Sequence, residues 1–217
     1  MTRRGALIVF EGLDRSGKTT QTQKLLEFFQ KNGKKSVIQR FPDREEPLTG
    51  PTIDNFLKTA TTVSQSKEVI HLLFSANRWA CMDRIRSQLN EGTHVIMDRY
   101  SFSGIAYSLA KGMDKAWVCQ PEVGLLKPDL VLFFDIDPTV VMARNGFGGE
   151  ALERSDFQAA VYAKMNEIFQ KEYWKKINAA ETIENVHEEV LSHVNQVLET
   201  VTAEKEFQIL SLKDFGL

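Results

Sequence analysis

The segment Gly12-Leu13-Asp14-Arg15-Ser16-Gly17-Lys18-Thr19 sets two glycines five residues apart and follows the second with a lysine and a hydroxyl. That spelling, G-x-x-x-x-G-K-[ST], is the one a polyphosphate requires. Glycines let the chain curl so that several backbone N–H groups converge on one anion. Lys18 then reaches the terminal phosphates, and the Thr19 hydroxyl is an oxygen ligand for Mg²⁺. The helix expected to open near Lys18 adds the positive end of its dipole. Gly12, Arg15, Ser16, Gly17, Lys18, Thr19 and Thr20 are therefore the expected nucleotide-phosphate set. Inside the loop, Asp14 would repel a triphosphate, so it is expected to turn away, toward a sugar hydroxyl or a cation, or to be a surface turn aspartate. Arg15 is the opposite case: a guanidinium there can offset charge growing on a transferring phosphoryl group, as an arginine finger supplied within the chain.

Such a loop serves GTPase switches and phosphotransferases alike. No N-K-x-D segment for reading guanine occurs, and Asp14–Gly17, inside the loop itself, is the sole D-x-x-G. Asp214-Phe215-Gly216 spells a protein-kinase signature but has no H-R-D before it, and is read as coincidence. The third apolar run ends in Asp98-Arg99-Tyr100. A carboxylate at the carboxyl end of a neighbouring strand faces the phosphate loop and can hold Mg²⁺ or its waters; the other reading is a helix N-cap. Arg99 beside it can grip a second phosphate, and Arg44, in Phe41-Pro42-Asp43-Arg44, reaches the same edge. Phe74 and Arg78 stand four apart on one helix face. They are a ring to stack on a base and a guanidinium to bond its edge, or the ring is an ordinary core aromatic. A second anion site beside the first points to phosphoryl transfer. Two rivals stay open: a deoxynucleoside kinase, which would need a carboxylate base for its neutral hydroxyl acceptor, and a non-enzymatic nucleotide-binding scaffold.

Positioning these residues takes a sizeable core, and 217 residues, 42% of them hydrophobic, suffice for one. Short apolar runs at Ala6–Phe10, Val37-Ile38, Val95–Met97 and Leu130–Phe134, with a weaker one around Ile177, read as buried strands. Between them, helical periodicity runs from Lys18 to about Gln30, Glu68 to Leu89, Phe157 to Trp174 and Ile183 to Val201. Strands alternating with such helices predict a parallel sheet with right-handed crossovers, an α/β three-layer fold of roughly five strands in a single domain, 1–217. Gly146-Phe147-Gly148-Gly149 suits the hinge of a short lid over 144–156. With 27 Lys and Arg against 29 Asp and Glu, the net charge is −2, which excludes a broadly basic nucleic-acid surface. Arg15, Lys18, Arg44, Arg78 and Arg99 are instead expected to make one cleft positive. No run approaches a membrane span or a secretory signal. Cys81 and Cys119, without metal-ligand spacing, read as buried thiols in a reducing compartment, cytosolic or nuclear.

Taken together the motifs resemble thymidylate kinase, a P-loop nucleoside monophosphate kinase family. The likeness is carried by Phe10–Gln21, Arg40–Arg44, Leu72–Trp79, Lys127–Leu130 and above all Asp98-Arg99-Tyr100-Ser101-Phe102-Ser103-Gly104-Ile105-Ala106-Tyr107. It implies ATP-dependent phosphorylation of dTMP to dTDP with Mg²⁺, in a cytoplasmic homodimer without nucleic-acid or membrane partners. It implies that Phe41 belongs to the dTMP site, that Phe74 stacks on thymine, that Arg78 meets the O4 edge, and that Arg44 and Arg99 hold the acceptor phosphate. Asp14 would bind the sugar 3′-hydroxyl, Tyr107 would crowd the 2′ position, and Ser103 and Gly104 would wall the base pocket. Thr19 and Asp98 would hold the metal, and Arg15, Lys18, Asp98 and Arg99 would carry catalysis. Arg144 would flank the adenine. The lid departs from the family's arginine-tyrosine-glutamate, reading Ala151-Leu152-Glu153, which predicts a more permissive or more weakly closed acceptor site.

Overall fold

The computed structural model describes residues 4–59, 66–143, 155–169, 172–201 and 206–217. In chain order these form β1 (Leu7–Gly12), α1 (Lys18–Lys31), β2 (Ser36–Arg40), α2 (Gly50–Thr59), α3 (Lys67–Asn90) and β3 (His94–Asp98). Then come α4 (Ser101–Ala110), α5 (Lys115–Cys119), β4 (Leu130–Asp135), α6 (Pro138–Met142), α7 (Ser155–Glu167), β5 (Trp174–Asn178) and α8 (Ile183–Thr200). The five strands make one sheet in the order β2-β3-β1-β4-β5, every pair parallel. β1, β3 and β4 are buried on both faces, which is why they read as continuous apolar runs rather than alternating ones.

Register sets the site. Phe10 pairs with Asp98 and Asp98 with Arg40, so the carboxyl ends of the three strands stand level, and the chain leaves each of them into a loop on that edge. Open parallel sheets bind ligands outside those ends.

The expected helices are present, with one correction. The periodic stretch from Phe157 does not reach Trp174 as helix: α7 ends at Glu167 and Trp174 opens β5 opposite Val131. Its late apolar residues serve an aromatic cluster, with Phe169 and Trp174 centroids 5.5 Å apart, instead of one helical face. Two elements lack the periodicity that would announce them. α4 has buried residues almost all round, and two-sided burial erases the amphipathic signal. α2, with Ile53, Phe56 and Leu57, builds a small separate cluster with Ile70 of α3, against which Phe74 packs. Cys81 and Cys119 are free and buried as expected, and burial pushes both thiols up to about 11. The proposed lid, with Gly146–Gly149, Ala151-Leu152-Glu153 and Arg144, lies outside the described residues apart from the start of α7.

Candidate active site

The phosphate loop joins β1 to α1. Gly12 takes φ +144, and a Cβ there would stand 2.9 Å from the Phe134 carbonyl oxygen, so glycine is dictated twice. Gly17 caps α1 at φ 100 with no side-chain hydrogen bond, and no acid stands in the first turn, which leaves the helix N-terminus to an anion. Ser16 is buried, Thr20 exposed. Lys18 is buried, and its Nζ donates to the Leu13 carbonyl at 2.5 Å and to Ser16 Oγ at 3.3 Å. Burial, and then Arg99, push its amine down to about 7 against the pull of Asp98, Asp14 and Glu11. Thr19 Oγ1 donates to Asp98 Oδ2 at 2.7 Å, so a hydroxyl and a carboxylate from different elements meet beside the loop. Arg15 is exposed at φ 59 and Arg99 sits at φ 70. Left-handed backbone at non-glycine residues is uncommon, and here it falls on the two arginines offered for catalysis.

Beside the loop an open cleft holds about 900 Å³ of free space. Of the expected acceptor residues, Asp14, Phe41, Arg44, Phe74, Arg78, Arg99, Ser103, Gly104 and Tyr107 all line it. Asp14 does turn out of the loop interior, to an ion pair with Arg99 and hydrogen bonds from Tyr107 Oη at 2.7 Å and Gln158 Nε2 at 3.2 Å. Burial opposes its ionisation, but Arg99, Lys18 and these hydrogen bonds together hold the carboxyl well below the usual range. Arg99 also donates to the Gly12 carbonyl at 2.9 Å, tying the two sites together. Phe74 meets Phe56 edge-on at 6.4 Å, so the ring is at once part of a small cluster and a wall of the cleft.

The cleft is less positive than the count of cations predicts, because each arginine in it brings a carboxylate. Arg44 Nη1 pairs with Asp54 at 3.0 Å, Arg99 with Asp14, and Arg78 with Glu122, both of the last pair almost wholly buried. Arg78 Nε donates to Glu122 Oε2 at 2.8 Å and Nη2 to Oε1, a bidentate fork that fixes the guanidinium plane. Gly104 lies against that plane: a Cβ would sit 2.8 Å from Arg78 Nη2. Gly104 is thus less a wall than the clearance that lets Arg78 lie flat.

Sequence reasoning missed Glu122, Glu11 and Gln158. Glu122 lies 44 residues beyond Arg78 in a short 3₁₀ turn over Gln120–Glu122, and no spacing links the two. Glu11 stood inside the quoted motif without a role. It is buried, and its carboxylate accepts from the Tyr100 N–H at 2.9 Å, the Ser103 N–H at 3.1 Å and the Ser103 hydroxyl. Among the described residues no cluster of three or more His, Cys, Asp or Glu could hold a metal ion. Nor does any described helix have the length and apolarity to cross a membrane. His71, one of four histidines, bridges Ser108 Oγ and the Val118 carbonyl and is structural.

A five-stranded parallel sheet, a phosphate loop and an adjoining cleft lined by Arg44, Arg78 and Arg99 define a P-loop kinase, a nucleotide-dependent phosphotransferase. The thymidylate kinase family model matches residues 10–190. A thymidylate kinase of Danio rerio is 44% identical over 191 residues, 87% of this chain and 89% of that one. One of Caenorhabditis elegans is 42% identical over 217 residues, covering 96% of each. The solved thymidylate kinase of Candida albicans, described as revealing the origin of its broad substrate specificity, superposes with a TM-score of 0.88 at 34% identity, over 97% of this chain and all of that one. The chain belongs to the thymidylate kinase family.

Proposed function

We propose that this protein transfers the γ-phosphoryl group of ATP to dTMP, giving dTDP, with Mg²⁺. The observation that carries the reading is the juxtaposition of the Lys18 loop with a cleft in which Arg44, Arg99, Phe74 and Arg78 can hold a phosphate and a base. A nucleoside acceptor would bring no phosphate for Arg44 and Arg99 to hold, and a mere scaffold would need no second site. A coupled ADP-release assay across nucleoside monophosphates, with thymidine as control, tests it. Turnover with dTMP is expected; turnover with thymidine alone, or with none, overturns it. The panel also reads the breadth of acceptor use that the lid sequence Ala151-Leu152-Glu153 suggests.

Chemistry in this cleft is mostly alignment and charge neutralisation. The second pKa of a phosphomonoester is near 6, so dTMP arrives as a competent nucleophile and no general base is needed. Lys18, Arg15 and Arg99 bring the two anions together and offset the charge of the transition state. The hydroxyl of Thr19 and the carboxylate of Asp98 are hard oxygen donors, and one or two such protein ligands suit Mg²⁺, which otherwise keeps waters and substrate phosphates. When bound, the ion neutralises phosphate charge. Asp14 is the acceptor for the sugar hydroxyl, and Tyr107, bonded to it, walls off the 2′ position. Water must be excluded or ATP would be hydrolysed, and we assign that to a lid over 144–156, hinged on the glycines and continued by α7, whose Gln158 already reaches Asp14. Arg144 is assigned to the adenine side of this lid.

The whole chain, 1–217, works as one domain and pairs as a homodimer. Support for pairing comes from α3, which exposes Val69, Leu72, Ala76 and Trp79 along one apolar stripe. Sedimentation at micromolar concentration checks it, and a monomer overturns it. The two unlinked buried thiols fit a reducing, cytoplasmic location.

A further inference from the structure

Glu11 is the buried carboxylate for which the reaction as written has no use. It occupies the last turn-facing position of β1, one residue before the phosphate loop, and is 1% exposed. A carboxylate so deep persists only when donors surround it. Here every partner is a donor. Oε1 takes the Tyr100 N–H at 2.9 Å and the Ser103 N–H at 3.1 Å, two amides at the start of α4. The N-cap of that helix, Tyr100, has no side-chain hydrogen bond of its own, so Glu11 caps α4 from another element. Oε2 takes the Ser103 hydroxyl.

The last contact has a consequence one residue further out. A serine hydroxyl has a single hydrogen. With that hydrogen given to Glu11, Ser103 Oγ must present a lone pair, and Arg99 Nη1 donates into it at 3.0 Å. Nη1 spends its other hydrogen on the Gly12 carbonyl at 2.9 Å, and Nη2 spends one on Asp14. A guanidinium has five N–H donors. Among the described residues three of Arg99's are committed, leaving the Nε–H and one Nη2–H. We propose that Glu11 is a positioning residue for the acceptor phosphate: by capping α4 and claiming the Ser103 hydrogen, it fixes the Arg99 guanidinium so that its two remaining N–H groups stay available to that phosphate. This rests on the monophosphate kinase reading above, and it moves Ser103 from wall of the base pocket to relay.

The arrangement is intolerant of an amide. In Glu11→Gln, the new NH₂ must face either the two backbone N–H groups, which sets donor against donor, or the Ser103 hydroxyl. In that second case Ser103 Oγ accepts from the amide and from Arg99 together, and its hydrogen loses the carboxylate that oriented it. The expected result is a KM for dTMP raised about 10- to 100-fold, the range for losing hydrogen bonds to a charged group, with a parallel loss of dTMP affinity by calorimetry and a KM for ATP within about twofold of wild type. Ser103→Ala keeps the backbone caps and removes only the relay, and should raise the KM for dTMP by about tenfold. In the double variant the amide no longer confronts a hydroxyl, so the two losses should add to less than their sum. A purely structural carboxylate would lower the melting temperature and move both KM values alike, and that result, or strict additivity, overturns the proposal. Should Glu11→Gln not fold, Ser103→Ala decides alone: an unchanged KM for dTMP refutes the relay. Wild-type enzyme that phosphorylates no monophosphate would sink the functional reading instead, which keeps the two failures distinct.

Discussion

Arg78 and Glu122 offer the sharpest quantitative test of how the cleft is built. Their side chains are 3% and 0% exposed and joined by a two-bond fork. Glu122→Ala leaves a guanidinium buried without its counter-charge, and breaking such a pair costs about 3–5 kcal/mol. That is a large share of a domain's usual 5–15 kcal/mol, roughly. With a urea m-value of about 2 kcal/mol/M, the unfolding midpoint should fall by about 1.5–2.5 M. The penalty is mainly desolvation rather than lost attraction, so Arg78→Met combined with Glu122→Leu should recover most of it, because apolar residues of similar volume often replace a buried ion pair at no cost. Urea titrations of wild type and both variants, followed by tryptophan fluorescence and circular dichroism, measure this. The same titrations connect to function: freed from Glu122, Arg78 loses its fixed plane against Gly104, so the KM for dTMP should rise in any Glu122 variant that still folds. A loss under about 1 kcal/mol in Glu122→Ala, or a double variant no more stable than the single, would refute the reasoning, since a pair that cheap to break is not desolvated.

Three further outcomes follow from the donor loop and the base pocket. Lys18, with its amine brought down to about 7 in the free protein, is largely neutral at pH 8 and recharges against a polyphosphate; ATP binding should therefore take up more proton at pH 8 than at pH 6, with affinity falling as pH rises above 7. Calorimetry in buffers of different ionisation enthalpy reads this, and zero uptake at pH 8 contradicts it. Arg15→Ala should lower kcat by roughly 10³-fold, as for other arginine fingers, with little change in stability because the side chain is exposed; a drop under about tenfold in steady-state kinetics removes Arg15 from catalysis. Phe74→Ala should raise the KM for dTMP and leave that for ATP nearly unchanged, whereas equal effects would mean the ring serves only the Phe56 cluster.

Much of this protein was legible without coordinates, for a physical reason. A phosphate loop is local: the glycines, the lysine and the hydroxyl act within eight residues, so their order alone specifies a nest for an anion. Strands buried on both faces announce themselves as continuous apolar runs, and α1, α3 and α8 as periodic ones, so the layers and the parallel sheet could be read off. Asp98 and Arg99 were found because the end of a parallel strand next to the loop is where a ligand must lie. The helix α4 was not found, since it is enclosed on nearly every side and has no polar face to betray it. Nor were two of the buried partners. Glu122 pairs with Arg78 across 44 residues and Gln158 donates to Asp14 across 144, and pairings at such separation have no period or spacing. Residue types and their order along the chain specify which cations stand at the site and which anions they suit. The pairing of each arginine that lines the cleft, and the choice of which Arg99 N–H groups remain uncommitted, come from the fold, because buried charges need partners and long-range packing selects them.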